Sequence, residues 1–113
     1  MDCLFCKIAK KEISAKVVYE DELVVAFEDI TPQAPVHVLV IPKKHISTTL
    51  ELTEADCALT GHMVIIANKI AKDRGVAQSG FRIVMNCNGD AGQSVFHIHL
   101  HLLAGRSLTW PPG

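Results

Sequence analysis

The sequence predicts an α+β fold: a five-stranded, mostly antiparallel sheet with one long helix and a short N-terminal helix. Two observations carry that expectation. Segments rich in Val, Ile, Tyr and Phe follow the order β-β-β-α-β-β, without the regular strand–helix alternation of a parallel sheet. The connections between them are short, which favours antiparallel neighbours.

Each element has its own local reason. Leu4 to Ala9 reads as a short helix. Lys16–Glu20 and Leu23–Asp29 flank Asp21-Glu22 and read as a hairpin. Pro32 and Pro35 then break the chain into a loop. Val36–Pro42 is a third strand, stopped by the proline and by Lys43-Lys44, which read as a solvated turn. Thr53 is a good N-cap, with Glu54 and Asp56 in the first turn, where the helix dipole favours negative charge. Leu59, Met63, Ile66 and Ile70 recur at helical spacing, and Gly75 suits the position just past the end, after Lys72 and Arg74. His62 on this helix reads as structural. Phe81–Cys87 and Val95–Leu103 complete the strands. The tail Trp110-Pro111-Pro112-Gly113 fits neither a helix nor a strand.

Composition narrows the function. The 113 residues carry 11 Lys and Arg against 12 Asp and Glu, a formal charge of −1. That balance lacks the basic footprint of a general nucleic-acid binder, so no direct nucleic-acid binding is expected. A small phosphorylated ligand remains open, since a few backbone N–H groups can hold one. With 49% hydrophobic and 20% charged residues, residues 1–113 read as one folded domain. The apolar stretches are too short to span a bilayer, so no membrane partner is expected. No basic N-terminal region leads into an apolar stretch and a cleavage site, which makes the cytoplasm the expected compartment. Of the four cysteines, Cys57 and Cys87 fall in apolar-periodic segments and read as buried thiols, not as disulfide partners.

The informative segment is His97-Ile98-His99-Leu100-His101-Leu102-Leu103. On a strand, alternate side chains share a face, so three imidazoles stand in a row roughly 7 Å apart, with Ile98, Leu100 and Leu102 opposite. A lone histidine would suit an ordinary half-buried strand; three in five residues do not. One reading is a metal site, because His-x-His on a strand offers two imidazoles to zinc. The other is nucleophilic catalysis, with one neutral imidazole attacking while its neighbours hold charge and orientation. The Gly-rich loop Asn88–Ser94 feeds directly into this row and can aim N–H donors at an anion, which suits attack on phosphorus.

His97–Leu103 resembles the histidine triad (HIT) motif of nucleotide hydrolases and transferases. The wider match includes Ala26-Phe27-Glu28-Asp29-Ile30-Thr31-Pro32-Gln33-Ala34-Pro35, Val40-Ile41-Pro42-Lys43-Lys44-His45, Gly92-Gln93-Ser94-Val95-Phe96-His97 and the Trp110-Pro111-Pro112-Gly113 tail. Together these resemble the histidine triad nucleotide-binding branch, whose members hydrolyse purine nucleoside phosphoramidates. The nucleotidyltransferase branch has Gln at the third position, where His101 stands.

The resemblance implies a role for each matching position. His99 would be the nucleophile that becomes covalently nucleotidylated, and His101 would contact the phosphate. Ser94 would lie near the phosphate and the leaving group, and His37 would join the imidazole network. Asp29 would accept the ribose hydroxyls. Phe5, Ile8, Phe27 and Ile30 would wall the base, and Asn86, Gly92 and Gln93 would help hold the sugar-phosphate. The implied products are AMP or GMP, with no cofactor needed for the chemistry. The tail resembles tails that pack across a two-fold axis, which implies a homodimer. Dinucleoside polyphosphate hydrolysis, or a nucleotide-binding regulatory module, are the alternatives.

Cys3-x-x-Cys6 has the spacing of half a zinc site. Histidine triad proteins with such a pair resemble an arrangement in which His45 and His97 complete a structural zinc site with Cys3 and Cys6. Reduced thiols without metal are the other reading.

Overall fold

A computed structural model describes residues 3–113. Helix α1 (Leu4–Ala9) opens the described chain, with the Cys3 sulfur accepting the Cys6 N–H at 3.2 Å as its cap. Strands β1 (Val17–Glu20) and β2 (Val24–Glu28) form the expected hairpin. Its turn is built by Asp21, whose carboxylate accepts the N–H groups of Leu23 and Val24 at 2.8 and 2.9 Å. The other carboxylate oxygen takes Tyr19 Oη at 2.8 Å and His62 Nε2 at 2.7 Å. His62 therefore ties the long helix to the hairpin.

Strand β3 (Val36–Pro42) is buried along its whole length, because both faces of the sheet are covered there. The long helix begins as a 3-10 turn, Glu54–Asp56, and continues as α2 (Cys57–Asp73). The Asp56 carboxylate accepts the Thr53 N–H at 3.0 Å, and Gly75 follows the helix at φ 72°, a conformation that favours glycine. Strands β4 (Phe81–Val84) and β5 (Leu100–Ala104) close a fully antiparallel sheet in the order β1-β2-β3-β5-β4.

Two cores result. On one face, Met63, Ile66, Ala67, Ile70 and Ala71 of α2 pack on Val24, Ala26, Val38, Val40, Leu100 and Leu102. On the other, Phe5 and Ile8 of α1 pack on Val25, Phe27, Leu39 and Ile41. The histidine row belongs to this second, thinner side.

The structure corrects several expectations. The last strand does not start at Val95: residues 93–99 are irregular, and pairing begins at Leu100. The Ile98 N–H leaves the ladder for Ile46 O at 2.7 Å, which bends the segment towards the end of β3. Strand β4 accordingly stops at Val84, opposite His101, and does not reach Cys87. Cys57 is exposed, because six residues before Met63 is roughly 240° around the helix from the buried stripe. Cys87 is half-buried in the loop, where hydrogen bonds from Thr49, then Thr48 and nearby N–H groups, hold its thiol below the usual range. Lys43 and Lys44 do stand in the expected turn, where they pair with Glu20 at 2.9 Å and Asp56 at 2.7 Å. Among the described residues, no helix is long and apolar enough to cross a membrane.

Candidate functional site

The histidine row is ordered by what each ring touches. His99 Nδ1 lies 2.8 Å from the carbonyl of His97. A carbonyl only accepts, so Nδ1 carries the proton and the lone pair of the neutral ring is left on Nε2. The Phe5 ring meets His99 edge-on at 5.0 Å and 90°, which fixes the imidazole plane from the side. His99 is thus the one imidazole of the row whose tautomer and plane are both set for attack through Nε2.

A second chain of bonds sets the neighbouring rings. The Gln33 N–H donates to His37 Nδ1 at 3.0 Å, so a neutral His37 holds its proton on Nε2. That N–H faces His101 Nδ1 at 2.9 Å, with the Asp29 carboxylate 3.5 Å away. His101 therefore accepts at Nδ1 and keeps Nε2–H as its remaining donor. Burial, followed by the nearby His99 and His37, pushes the His101 pKa down to about 4. Burial likewise lowers that of His37, with Asp29 opposing. Asp29, His37 and His101 bring three ligand atoms together, but a cation there would take the lone pair of His37 Nε2 and move its proton onto Nδ1, against the Gln33 N–H. The trio is a hydrogen-bonded chain that runs from the Gln33 N–H through His37 to His101, with Asp29 beside it.

A cavity of about 380 Å³ opens beside these rings. Phe5, Ile8 and Phe27 form an almost fully buried apolar wall, Ile30 is 98% exposed at the rim, and Asp29, Ser94, His99 and His101 supply the polar lining. Asn86, Gly92 and Gln93 are not among its lining residues. The loop spends several of its donors on itself: Gly92 N–H goes to Gly89 O and Gln93 N–H to Asn88 O. The Gln93 side chain is buried, accepting the Asn88 N–H at 2.8 Å and donating to Ser47 O and Val95 O. His37 lies in an adjoining depression that shares Glu28, Asp29 and Ile30 with the cavity. Sequence reasoning missed Ile13, Ser14, Ala15 and Leu39 of the lining, and also the backbone groups of Gln33 and Pro42. The first three follow α1 with no periodic signal, and backbone donors leave no trace in residue type.

Behind His99 is a cluster of Cys3, Cys6, His45 and His97, whose ligand atoms all lie within 4.8 Å of one another. His97 Nε2 faces Pro42 O at 2.8 Å, so its N–H is there and the Nδ1 lone pair points into the cluster. From that Nδ1, Cys3 Sγ is 3.3 Å away, Cys6 Sγ 3.5 Å and His45 Nδ1 3.2 Å. Cys6 Sγ to His45 Nδ1 is 3.2 Å. Tetrahedral zinc, with bonds of about 2.0–2.3 Å, spaces its ligands roughly 3.3–3.8 Å apart, so number, donor type and size fit. Burial, then the adjacent Cys3, pushes the Cys6 thiol up; a divalent cation would reverse that by stabilising thiolate.

Comparison with known proteins identifies the family. The HIT domain family model matches residues 10–108. A purine nucleoside phosphoramidase of Escherichia coli K12 is 46% identical over 107 residues, 95% of this chain and 90% of its own. A crystal structure of a HIT family hydrolase from Legionella pneumophila superposes with a TM-score of 0.98 at 54% identity, covering 99% of this chain and 100% of that one. A Zn-bound histidine triad family protein from Mycobacterium smegmatis has a TM-score of 0.82 at 34% identity, covering 94% and 76%. In motif, sheet order and overall superposition alike, the chain belongs to the HIT family.

Proposed function

We propose that the protein hydrolyses purine nucleoside phosphoramidates, releasing AMP or GMP through a nucleotidyl-His99 intermediate. The observation that carries this reading is the 2.8 Å bond from His99 Nδ1 to His97 O, which leaves Nε2 as a free nucleophile in a cleft containing Asp29, Ser94 and His101. In the first step Nε2 bonds to phosphorus and the phosphorus–amine bond breaks. The leaving nitrogen needs a proton, and His101 Nε2–H, backed by His37, is the donor in reach. Water then attacks phosphorus, the phosphorus–Nε2 bond breaks, and the water's proton returns to the His101–His37 pair, so the nucleotide leaves and every imidazole is restored.

Asp29 suits a ribose diol, and the Phe5, Ile8, Phe27 and Ile30 wall suits a flat purine. Ser94 contacts the phosphate and leaving group. Asn86, Gly92 and Gln93 act on the sugar-phosphate through the shape of their loop. The similarity to the E. coli phosphoramidase supports the substrate class. Zinc is the ion we assign to Cys3, Cys6, His45 and His97, in line with the Zn-bound mycobacterial relative. When bound, it would supply a cross-link between α1, the end of β3 and the histidine segment. The functional unit we infer is a homodimer, which gives Trp110, 83% exposed in the single chain, a surface to cover it. Four free thiols suit a reducing compartment such as the cytoplasm.

The test is incubation with adenosine 5′-phosphoramidate, a quench in base, and intact mass. An adenylyl adduct mapping to His99, with AMP in solution, is expected. His99→Ala should lower turnover by ~10³-fold or more while still binding AMP. Undiminished turnover in that variant would sink the reading.

A further inference from the structure

We propose that Arg106, just past the end of β5, is a positioning residue for the proton donor: it clamps the loop whose Gln33 N–H keeps the His101 proton on Nε2. The proposal rests on reading His101 as the donor to the leaving amine. It starts from an ambiguity in the imidazole pair. His37 Nε2 and His101 Nδ1 lie 2.9 Å apart, and with both rings neutral the bond between them can run in either direction. Run from His37, it leaves His101 with Nε2–H, a donor. Run from His101, it puts the His101 proton on Nδ1 and leaves Nε2 a lone pair with nothing to give.

The Gln33 N–H decides between the two. It lies 3.0 Å from His37 Nδ1, and a donor there excludes a proton on that nitrogen. His37 is fixed in the ladder opposite Leu103, whereas Gln33 sits in the exposed loop between β2 and β3 without a ladder partner. Arg106 supplies the missing hold. Its Nε and Nη2 both donate to Gln33 O, at 3.2 and 3.1 Å, and its Nη1 donates to Ser107 O at 3.0 Å. The Gln33 side chain adds a bond from Nε2 to Thr31 O at 3.0 Å. Gly105 lets the turn come this close: its φ is 94°, and a Cβ there would stand 2.8 Å from Pro35 Cβ. Strand β5 thus delivers His101 and, five residues later, the guanidinium that fixes where its proton sits. Without the clamp Gln33 can turn away, His37 Nδ1 can take a proton, and the reversed bond becomes populated.

The test is Arg106→Ala, which removes an exposed side chain that belongs to neither core. Two substrates with the same nucleotide are compared in a single turnover, adenosine 5′-phosphoramidate and the p-nitrophenyl ester of AMP. In the first, the phosphorus–nitrogen bond breaks with its electron pair on nitrogen, which takes the His101 Nε2 proton; in the second, p-nitrophenolate leaves as the anion and needs none. Release of the amine is expected to slow about tenfold or more, and release of p-nitrophenolate less than about threefold. The ¹⁵N shifts of the ring should move His101 from the Nε2–H tautomer to a mixture with Nδ1–H.

Equal slowing on both substrates, no slowing on the phosphoramidate, or an unchanged His101 tautomer overturns the proposal. So does an Nδ1–H tautomer of His101 in the wild-type protein, a measurement that needs no variant. His101→Ala keeps the two readings apart. Equal slowing of both substrates in that variant refutes His101 as the donor, whereas slowing confined to the phosphoramidate upholds it and leaves Arg106→Ala to judge the clamp alone.

Discussion

What each histidine does is decided by the partner of its other nitrogen. His97 and His99 are two residues apart and chemically identical, yet Pro42 O turns one lone pair towards Cys3, Cys6 and His45, and His97 O leaves the other on Nε2 beside the cleft. His101 is held neutral by burial and by two neighbouring imidazoles, with a pKa of about 4 in the folded chain against an ordinary 6.5. The sign follows: the unfolded chain takes up this proton near 6.5 and the folded chain only near 4, so this contribution to stability is complete above 6.5. It is lost as pH falls from about 6.5 to about 4. Urea midpoints across that range should therefore fall more steeply in wild type than in His101→Gln; equal slopes would place His101 at its ordinary value. Asp29 offers a separate test. If its carboxylate binds the ribose diol, Asp29→Ala should raise KM roughly 10- to 100-fold, the range expected for a lost hydrogen bond to a charged group. A 2′-deoxy substrate should lose less, and equal losses would argue for a general loop effect through the Asp29–Thr31 bond.

Among the elements, α2 and the 93–99 segment are stabilised by opposite means. The helix is held by a continuous apolar stripe, and Met63 at its centre is 0% exposed. Met63→Ala should cost about 2–5 kcal/mol in urea unfolding, with kcat unchanged, because the helix touches the sheet face away from the cleft. The 93–99 segment has no such stripe and no ladder. Apart from Ile98, which enters the α2 core, it is held by single polar bonds, three of them from the Gln93 side chain. Gln93→Ala leaves the Asn88 N–H and Ser47 O without that partner and should cost at least ~1 kcal/mol, read from the same unfolding curves. Its effect on kcat should exceed that of Met63→Ala, and the reverse order would mean the loop has no part in shaping the site.

Taken as a whole, the molecule divides its labour across one sheet. The face under α2 carries the larger core, and the face under α1 carries His99, the cleft and the cluster. The short helix α1 and its Cys3 cap thus place the two cluster cysteines on the face of the cleft, away from the larger core. The C-terminal tail lies apart from both, with Arg82 donating to Leu108 O and Thr109 O. Sedimentation should give twice the chain mass for wild type and a shift towards monomer for Trp110→Ala. A monomeric wild type would remove the dimer from the proposed function.

The sequence by itself determined the succession of strands and helices along the chain, the long helix with its ends, and that the histidines would stand opposite Ile98, Leu100 and Leu102. All of these depend on local periodicity and caps, which backbone sterics impose residue by residue. His97, Ile98, His99 and Leu100 keep their alternate directions even where the backbone is no longer a strand, because Ile98 and Leu100 are drawn to the α2 core while the rings pack on Phe5. Where that strand begins was not legible, since its pairing is lost to Ile46 O in a distant loop. Nor was the burial of the other cysteines, which turns on where β4 runs out of partner and how α2 is rotated. Only the tertiary structure decided which nitrogen of each imidazole is free, through carbonyls and N–H groups that every residue carries and none advertises. It also brought Cys3 to His97 across 94 positions. Periodicity is written in neighbours along the chain, whereas proton placement and ligand geometry are set by atoms that meet only after the chain has folded.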